Sequence, residues 1–211
     1  MNAEELARTK MGERSLVLIK PDGLMRGIVG RIIQRFEDAG LRIVGMKMLT
    51  PSREMLEQHF PQTREWMEGL GEKSLATYQE FNIDPVELLG TADAYEIGKM
   101  ILAWNYNYLS SAPVIALALE GIHAIDVIRK MIGHTLPYQA VSGTIRGDFS
   151  INAPDLANIV GSACKNIVHA SANVEEATNE LRLWFSENEI VSWERPDEFF
   201  VFLKGANVTG E

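Results

Sequence analysis

The feature that most constrains this chain is residues 112–119, Ala-Pro-Val-Ile-Ala-Leu-Ala-Leu, eight residues without one polar side chain. A stretch of that length falls far short of the roughly 20 residues needed to cross a bilayer. Its β-branched content and the proline near its start suit a strand buried on both faces, so layers must cover it above and below. Residues 15–19 have the same character, and Pro21 forces the residue before it into extended backbone. A strand therefore ends at Lys20. Residues 23–39 place Ile28, Ile32, Ile33 and Phe36 on one helical face, and Gly40 stands where a left-handed cap would end the helix. Residues 41–49 read as a second strand, with Ile43 on one face and Val44, Met46 and Met48 on the other.

After the apolar strand, Gly121 leads into a helix bearing Ile125, Ile128 and Ile132, stopped by Gly133. Ile167 and Val168 form a short fourth strand, followed by a helix from Asn173 whose buried stripe is Val174, Ala177, Leu181 and Trp184. Asn173 with Glu176 three residues on makes a capping box at its start. This order predicts an α/β fold, an α+β sandwich of the ferredoxin-like kind: a four-stranded antiparallel sheet with helices on one face.

Two stretches do not belong to that frame. Residues 61–100 carry charges and the breakers Gly69, Gly71, Asp84-Pro85 and Gly90, which cut several short helical patterns. Ile97, Ile101, Trp104 and Tyr108 then fall at helical spacing behind an Asp93–Glu96 start box. Residues 150–165 hold another short amphipathic piece. With 211 residues, against roughly 100 to 200 per domain, the expectation is one domain over residues 1–211 with helical insertions at about 61–100 and 150–165.

Charge narrows the partners. With 29 acidic and 20 basic side chains the net charge is -9, a field that repels phosphate backbones, so nucleic acid is not expected and any anion site must be local. The single cysteine, Cys164, cannot form an internal disulfide, in keeping with a reducing compartment. Residues 1–14 are charged, without the apolar stretch of a signal peptide. A cytoplasmic protein without membrane association is the expectation.

Familiar signatures of phosphate chemistry are missing. Gly69 to Ser74 reads GLGEKS, without the adjacent Gly-Lys of a phosphate-binding loop. There is no dinucleotide fingerprint, paired-cysteine metal site or nucleophile elbow. Arg146-Gly147-Asp148 matches an adhesion tripeptide, a reading that an acidic chain of this type does not support. What remains is Lys20-Pro21-Asp22-Gly23, then Gly143-Thr144-Ile145-Arg146-Gly147-Asp148-Phe149, then Asn166-Ile167-Val168-His169-Ala170-Ser171. Together, in this order, they closely resemble the nucleoside diphosphate kinase family, in a long form with a helical insertion. The likeness covers residues 13–49, 112–149 and 166–185, and the family's fold is the ferredoxin-like sandwich already inferred.

A neutral imidazole, with an ordinary pKa near 6.5, keeps a free ring nitrogen at pH 7 and can attack phosphorus without a separate base. The resemblance gives His169 the role of phosphohistidine and Glu180 that of the carboxylate orienting its ring; it leaves open which nitrogen is phosphorylated. Lys20 joins them as a catalytic cation. By the same resemblance Arg129, Thr135 and Arg146 contact the nucleotide phosphates, Lys20 and Asn166 reach the ribose and phosphate side, and Ser171 stands beside the histidine. Phosphoryl transfer is catalysed mainly by positioning and positive charge, with Mg²⁺ bridging nucleotide oxygens. The ion would arrive with the nucleotide, and no residue is assigned as a metal ligand. Thr144 and Asp148 read as turn formers, His123 and His134 as surface residues, and His59 as structural.

The sequence departs from the family in three places. Ala172 stands where an aspartate is usual, which implies altered rate or stability with the chemistry retained. Phe60 replaces a tyrosine and removes a hydroxyl near the site. The nucleobase-stacking aromatic has no clear counterpart: alignment puts Ile101 there, with Trp104 close by. The implied activity is ping-pong transfer of the terminal phosphoryl group from a nucleoside triphosphate to a nucleoside diphosphate. The implied assembly is a homo-oligomer, a tetramer or hexamer, to which the loop at 134–140 contributes. The competing reading is a nucleotide-binding or regulatory module that keeps the fold and uses its insertion to hold a partner.

Overall fold

The computed structural model describes residues 12–193 and 195–196. Most of the charged lead-in expected at the start of the chain lies outside them. Four strands form one antiparallel sheet: β1 (Glu13–Ile19), β2 (Arg42–Leu49), β3 (Val114–Gly121) and β4 (Val168–Ala170), in spatial order β2-β3-β1-β4. The apolar run becomes β3, which pairs with β1 along its whole length, from Glu13 opposite Gly121 to Ile19 opposite Ile115.

Between β1 and β2 lie α1 (Pro21–Met25) and α2 (Val29–Asp38), two helices where the periodicity suggests one, because Gly27 takes φ 65° and breaks the run. After β2 come α3 (Arg53–His59), α4 (Arg64–Glu80), α5 (Pro85–Leu89) and α6 (Ala94–Leu109). After β3 come α7 (Ala124–Ile132), α8 (Ile145–Phe149) and α9 (Pro154–Ile159); α10 (Val174–Trp184) follows β4. Caps lie where the sequence places them: Asp93 accepts from the Glu96 N–H at 2.9 Å, and Asn173 from the Glu176 N–H at 2.8 Å.

Because successive strand side chains face opposite ways, the unbroken apolar strands feed two cores. Val17, Ile19, Leu117 and Leu119 pack under Ile32 and Phe36 of α2 and Ile128 and Ile132 of α7. Leu16, Leu18, Ala116 and Ala118 face the other way, against Leu56 of α3, Leu102, Tyr106 and Leu109 of α6, and Trp184 of α10. The helices α2 and α7 thus occupy the face that a ferredoxin-like plan assigns them. The second face is covered too, as strands with no polar side require.

Two local readings are corrected. The register of β2 slips between Ile43 and Gly45: Ile43 lies opposite Leu119 and Met46 opposite Leu117. This bulge puts Ile43 on the same face as Met46 and Met48, and of these four residues Val44 is the one that turns into the second core. The second correction concerns α4, which runs unbroken for 17 residues through Gly69 and Gly71. A Cβ on Gly71 would lie 1.8 Å from the Ala94 carbonyl oxygen, and one on Gly98 would lie 1.9 Å from that of Met67. Both glycines are therefore contact points where α4 and α6 cross, and Gly71 does not end a helix.

Candidate active site

The antiparallel register sets His169, the middle residue of β4, opposite Leu18, so its side chain stands on the face covered by α3, α6 and α10. Its Nε2 lies 2.7 Å from Glu180 Oε1. Glu180 is buried on α10, and its other oxygen accepts the Ser171 hydroxyl at 2.6 Å. Ser171 Oγ in turn accepts the Leu16 N–H at 3.3 Å, tying the carboxylate to β1. Burial opposes ionisation of Glu180, but His169, His59 and Ser171 outweigh it and hold the carboxyl below its ordinary pKa. An ionised carboxylate only accepts, so the Nε2 beside it carries the ring proton. Nδ1 then keeps the lone pair.

His59 also belongs to this cluster, a residue that the sequence reading sets aside as structural. Its ring stands edge-on to His169 with centroids 4.8 Å apart, and its Nδ1 lies 3.4 Å from Glu180 Oε1. The Trp184 indole N–H donates to the same Nδ1 at 3.3 Å. Burial, with the His169 ring second, pushes the His59 pKa down to about 3, so the ring is neutral. The available signal was its neighbour: Phe60, matched to a residue near the site, packs on His59 at 5.0 Å between centroids.

The cations form a second group. Lys20 Nζ donates to Asn166 Oδ1 at 2.7 Å, and Asn166 Nδ2 donates to the Thr135 carbonyl at 2.9 Å. Arg146, from the short α8, is buried with its guanidinium bonded to the carbonyls of Asn166, Gly133 and Val168 at 3.2, 2.8 and 2.8 Å. Burial and then the Arg146 charge lower the Lys20 ammonium to about 8, while burial and then Arg129 lower Arg146 to about 10. Positive charge is thus held together at the cost of its own ionisation, a field suited to an anion. Lys20, Asn166, Thr135 and Arg146 are linked by these bonds; Arg129, exposed in the last turn of α7, joins through its charge.

Backbone strain joins the two groups. Ile167, a β-branched residue, sits at φ 69°, with the Val168 N–H on the Asn166 carbonyl at 2.7 Å. Such a turn costs on the order of 1–3 kcal/mol and persists only where its surroundings hold it. Here Lys20 N–H takes the Ile167 carbonyl at 2.7 Å and Asp22 accepts the Ile167 N–H at 3.2 Å. A Cβ on Gly23 would meet Ile19 at 2.8 Å and Ile167 at 3.3 Å, so the glycine of Lys20-Pro21-Asp22-Gly23 lets α1 press on this turn.

The remaining candidates play local parts. Thr144 caps α8 through the Gly147 N–H at 3.1 Å, and Asp148 accepts the Gly143 N–H at 2.8 Å. His123 and His134 are exposed. The Ala172 N–H is bonded by Glu176. Trp104 lines a cleft of about 260 Å³ with Asn107, Tyr108, Ser111 and Lys165, whereas Ile101 is not on its wall.

Comparison with known proteins agrees with this geometry. A family model described as nucleoside diphosphate kinase matches residues 13–68 and 95–190, leaving out much of α4 and all of α5. The nucleoside diphosphate kinase of Pyrobaculum aerophilum is 45% identical over 179 residues, covering 85% of this chain and 98% of its own. The protein of that name from Archaeoglobus fulgidus is 37% identical over 190 residues, covering 90% and 97%. Among solved structures, an NDP kinase from P. aerophilum superposes with a TM-score of 0.83 at 43% identity, covering 86% of this chain and all of that one. A transition state mimic of the Borrelia burgdorferi enzyme with bound vanadate and ADP gives 0.71 at 31% identity, covering 90% and 96%.

Proposed function

The chain belongs to the nucleoside diphosphate kinase family, and from that premise we propose how its own residues carry out the transfer. The reaction moves the terminal phosphoryl group of a nucleoside triphosphate to a nucleoside diphosphate through His169. The observation that carries this is the 2.7 Å contact between His169 Nε2 and Glu180, which leaves the Nδ1 lone pair for the attack. The solved relative with vanadate, a phosphoryl mimic, beside ADP supports the same reading.

In the first half-reaction the His169 Nδ1 lone pair forms a bond to the γ-phosphorus. The bond to the bridging oxygen breaks, and the diphosphate leaves with that electron pair. The ring becomes cationic as it gives up electron density, and the Glu180 carboxylate on Nε2–H stabilises it. Ser171 holds the carboxylate, and His59 fills the space beside the ring, so His169 keeps one rotamer. Lys20, Arg129 and Arg146 offset the charge of the phosphates; Asn166 and Thr135 fix the donors around them. In the second half-reaction a different diphosphate uses its terminal oxygen to reclaim the group. Mg²⁺ fits as an ion carried by the nucleotide: the carboxylate beside Lys20, Asp22, is committed to the Tyr108 hydroxyl and the Ile167 N–H. When bound, the ion would supply charge neutralisation to the phosphates.

The other expectations are extended in the same way. The chain is one domain, with insertions centred on α4–α5 and α9. It works as a homo-oligomer, for which the exposed Met46 and Met48 on the outer strand β2 supply an apolar contact. Among the described residues no helix is long and apolar enough to cross a membrane; the acidic charge disfavours nucleic acid, and the single cysteine accords with a reducing, cytoplasmic compartment.

The test is to incubate the protein with terminally labelled ATP and Mg²⁺, measure acid-labile label, and chase with unlabelled GDP or CDP. Wild type should take the label and release it as GTP or CTP, and His169→Ala should take none. Label retained by His169→Ala would remove the nucleophile.

A further inference from the structure

Glu180 Oε1 is approached by two imidazole nitrogens, His169 Nε2 at 2.7 Å and His59 Nδ1 at 3.4 Å. The donor atoms of the three residues all lie within 4.8 Å of one another. Two imidazoles and a carboxylate are the ligand set of many zinc centres, and a tetrahedral ion with bonds near 2.0–2.1 Å separates its donors by about 3.3 Å. The His59–Glu180 spacing already matches. The His169–Glu180 contact must open by roughly half an ångström, and the two rings must close on each other by about an ångström at most more than that. His59 gives up only the long bond from Trp184.

An entry path is present. A groove of about 680 Å³, lined by Gln58, His59, Glu176, Asn179 and Glu180 among others, reaches His59 and Glu180, and His169 is not part of its wall. Its wall sets the two carboxylates of Glu176 and Glu180 against the one guanidinium of Arg182, so a cation can reach the donors without passing through the nucleotide site.

We propose that His59, His169 and Glu180 form a binding site for a divalent transition-metal ion of the Zn²⁺ class, and that its occupation switches off phosphorylation of His169. The ion takes the Nε2 lone pair; the one proton of the neutral ring then resides on Nδ1, the atom that would attack phosphorus. No bond is broken other than N–H, and no proton is lost. Mg²⁺ does not imitate this, because it prefers an octahedral oxygen shell and keeps its waters. The site itself stands independently of the kinase reading; the switch rests on it.

The test begins with the full chain, free of nucleotide, titrated with Co²⁺. One equivalent should produce the visible band of a four- or five-coordinate ion, and one equivalent of Zn²⁺ should erase it. His59→Gln and Glu180→Gln should each weaken binding at least tenfold, and Cys164→Ser should leave it unchanged. Zn²⁺-loaded wild type, freed of excess metal, should take no label from ATP and Mg²⁺ and recover on adding EDTA. A Co²⁺ spectrum unaltered in His59→Gln overturns the site. Normal labelling of the Zn²⁺-loaded protein overturns the switch. If the metal-free protein takes no label, the kinase reading fails while the Co²⁺ titration still decides the site. Should the variants not fold, the ¹⁵N resonances of His169 in wild type decide: Nδ1 must change from a lone-pair to an N–H nitrogen when Zn²⁺ is added, and no change refutes the proposal.

Discussion

Lys20 and His59 are basic side chains whose ionisation the fold suppresses, with opposite consequences. For Lys20, lowered to about 8, the proposed role in phosphate binding requires the charged form. Nucleoside diphosphate affinity should therefore be full below pH 8 and weaken above it, by up to ~10-fold per pH unit until the pKa of the complex is passed. Calorimetric titration with ADP between pH 7 and 9.5 should show this slope, and Lys20→Met should bind more weakly and show none. His59 is held neutral, with its pKa at about 3 against an ordinary 6.5. Below pH 6.5 the unfolded chain takes a proton that the folded chain refuses. The stability is complete above pH 6.5 and is lost as pH falls toward 3, by up to ~1.4 kcal/mol per pH unit from this residue. Urea unfolding at pH 7, 5.5 and 4 should show a steeper loss for wild type than for His59→Gln; equal slopes would mean that the ring is not held neutral.

Among the elements, the crossing of α4 and α6 offers a test in which two effects have opposite signs. A glycine in a helix interior costs about 1 kcal/mol relative to alanine, so helix propensity alone would make Gly98→Ala stabilising. A Cβ there would lie 1.9 Å from the Met67 carbonyl oxygen, a backbone atom that cannot swing away. Overpacking of this kind costs ~1–3 kcal/mol, so the net change should be a lower urea midpoint. A raised midpoint would show that the two helices do not meet at this residue. The bulge in β2 belongs to the same scale: one extra residue, Val44, feeds the second core and turns Met46 and Met48 out over the first.

For the whole molecule, those two methionines are the consequence that reaches furthest. Met46 is 59% and Met48 62% exposed, side by side on the face of an outermost strand. Among the described residues, the segment after α10 reaches this strand where Val191 N–H bonds the Val44 carbonyl, the Trp193 indole bonds that of Ile43 and Lys47 pairs with Glu189, and it leaves both methionines exposed. An edge left apolar in this way is the surface that the proposed homo-oligomer would use. Sedimentation should find wild type larger than one chain and the double variant Met46→Glu, Met48→Glu shifted toward the monomer; equal mass for both would place the interface elsewhere.

The sequence by itself determined what depends on near neighbours. The apolar runs at β1 and β3 dictate buried strands; Asp93 and Asn173 start helices; and Asn166 to Ser171 bring a histidine to a strand that faces the carboxylate of the following helix, one short connection away. Those relations are local, and chain geometry alone enforces them. Tertiary structure decided whatever depends on partners distant in the chain. Gly71 is a helix residue because α6 crosses α4 there, and Val44 bulges because β3 sets the register of its partner. His59 became a neighbour of His169 only when α3 and α10 packed on the same face of the sheet. The His169 proton was placed by the same packing: the nitrogen that keeps its lone pair is the one that the buried Glu180 does not touch.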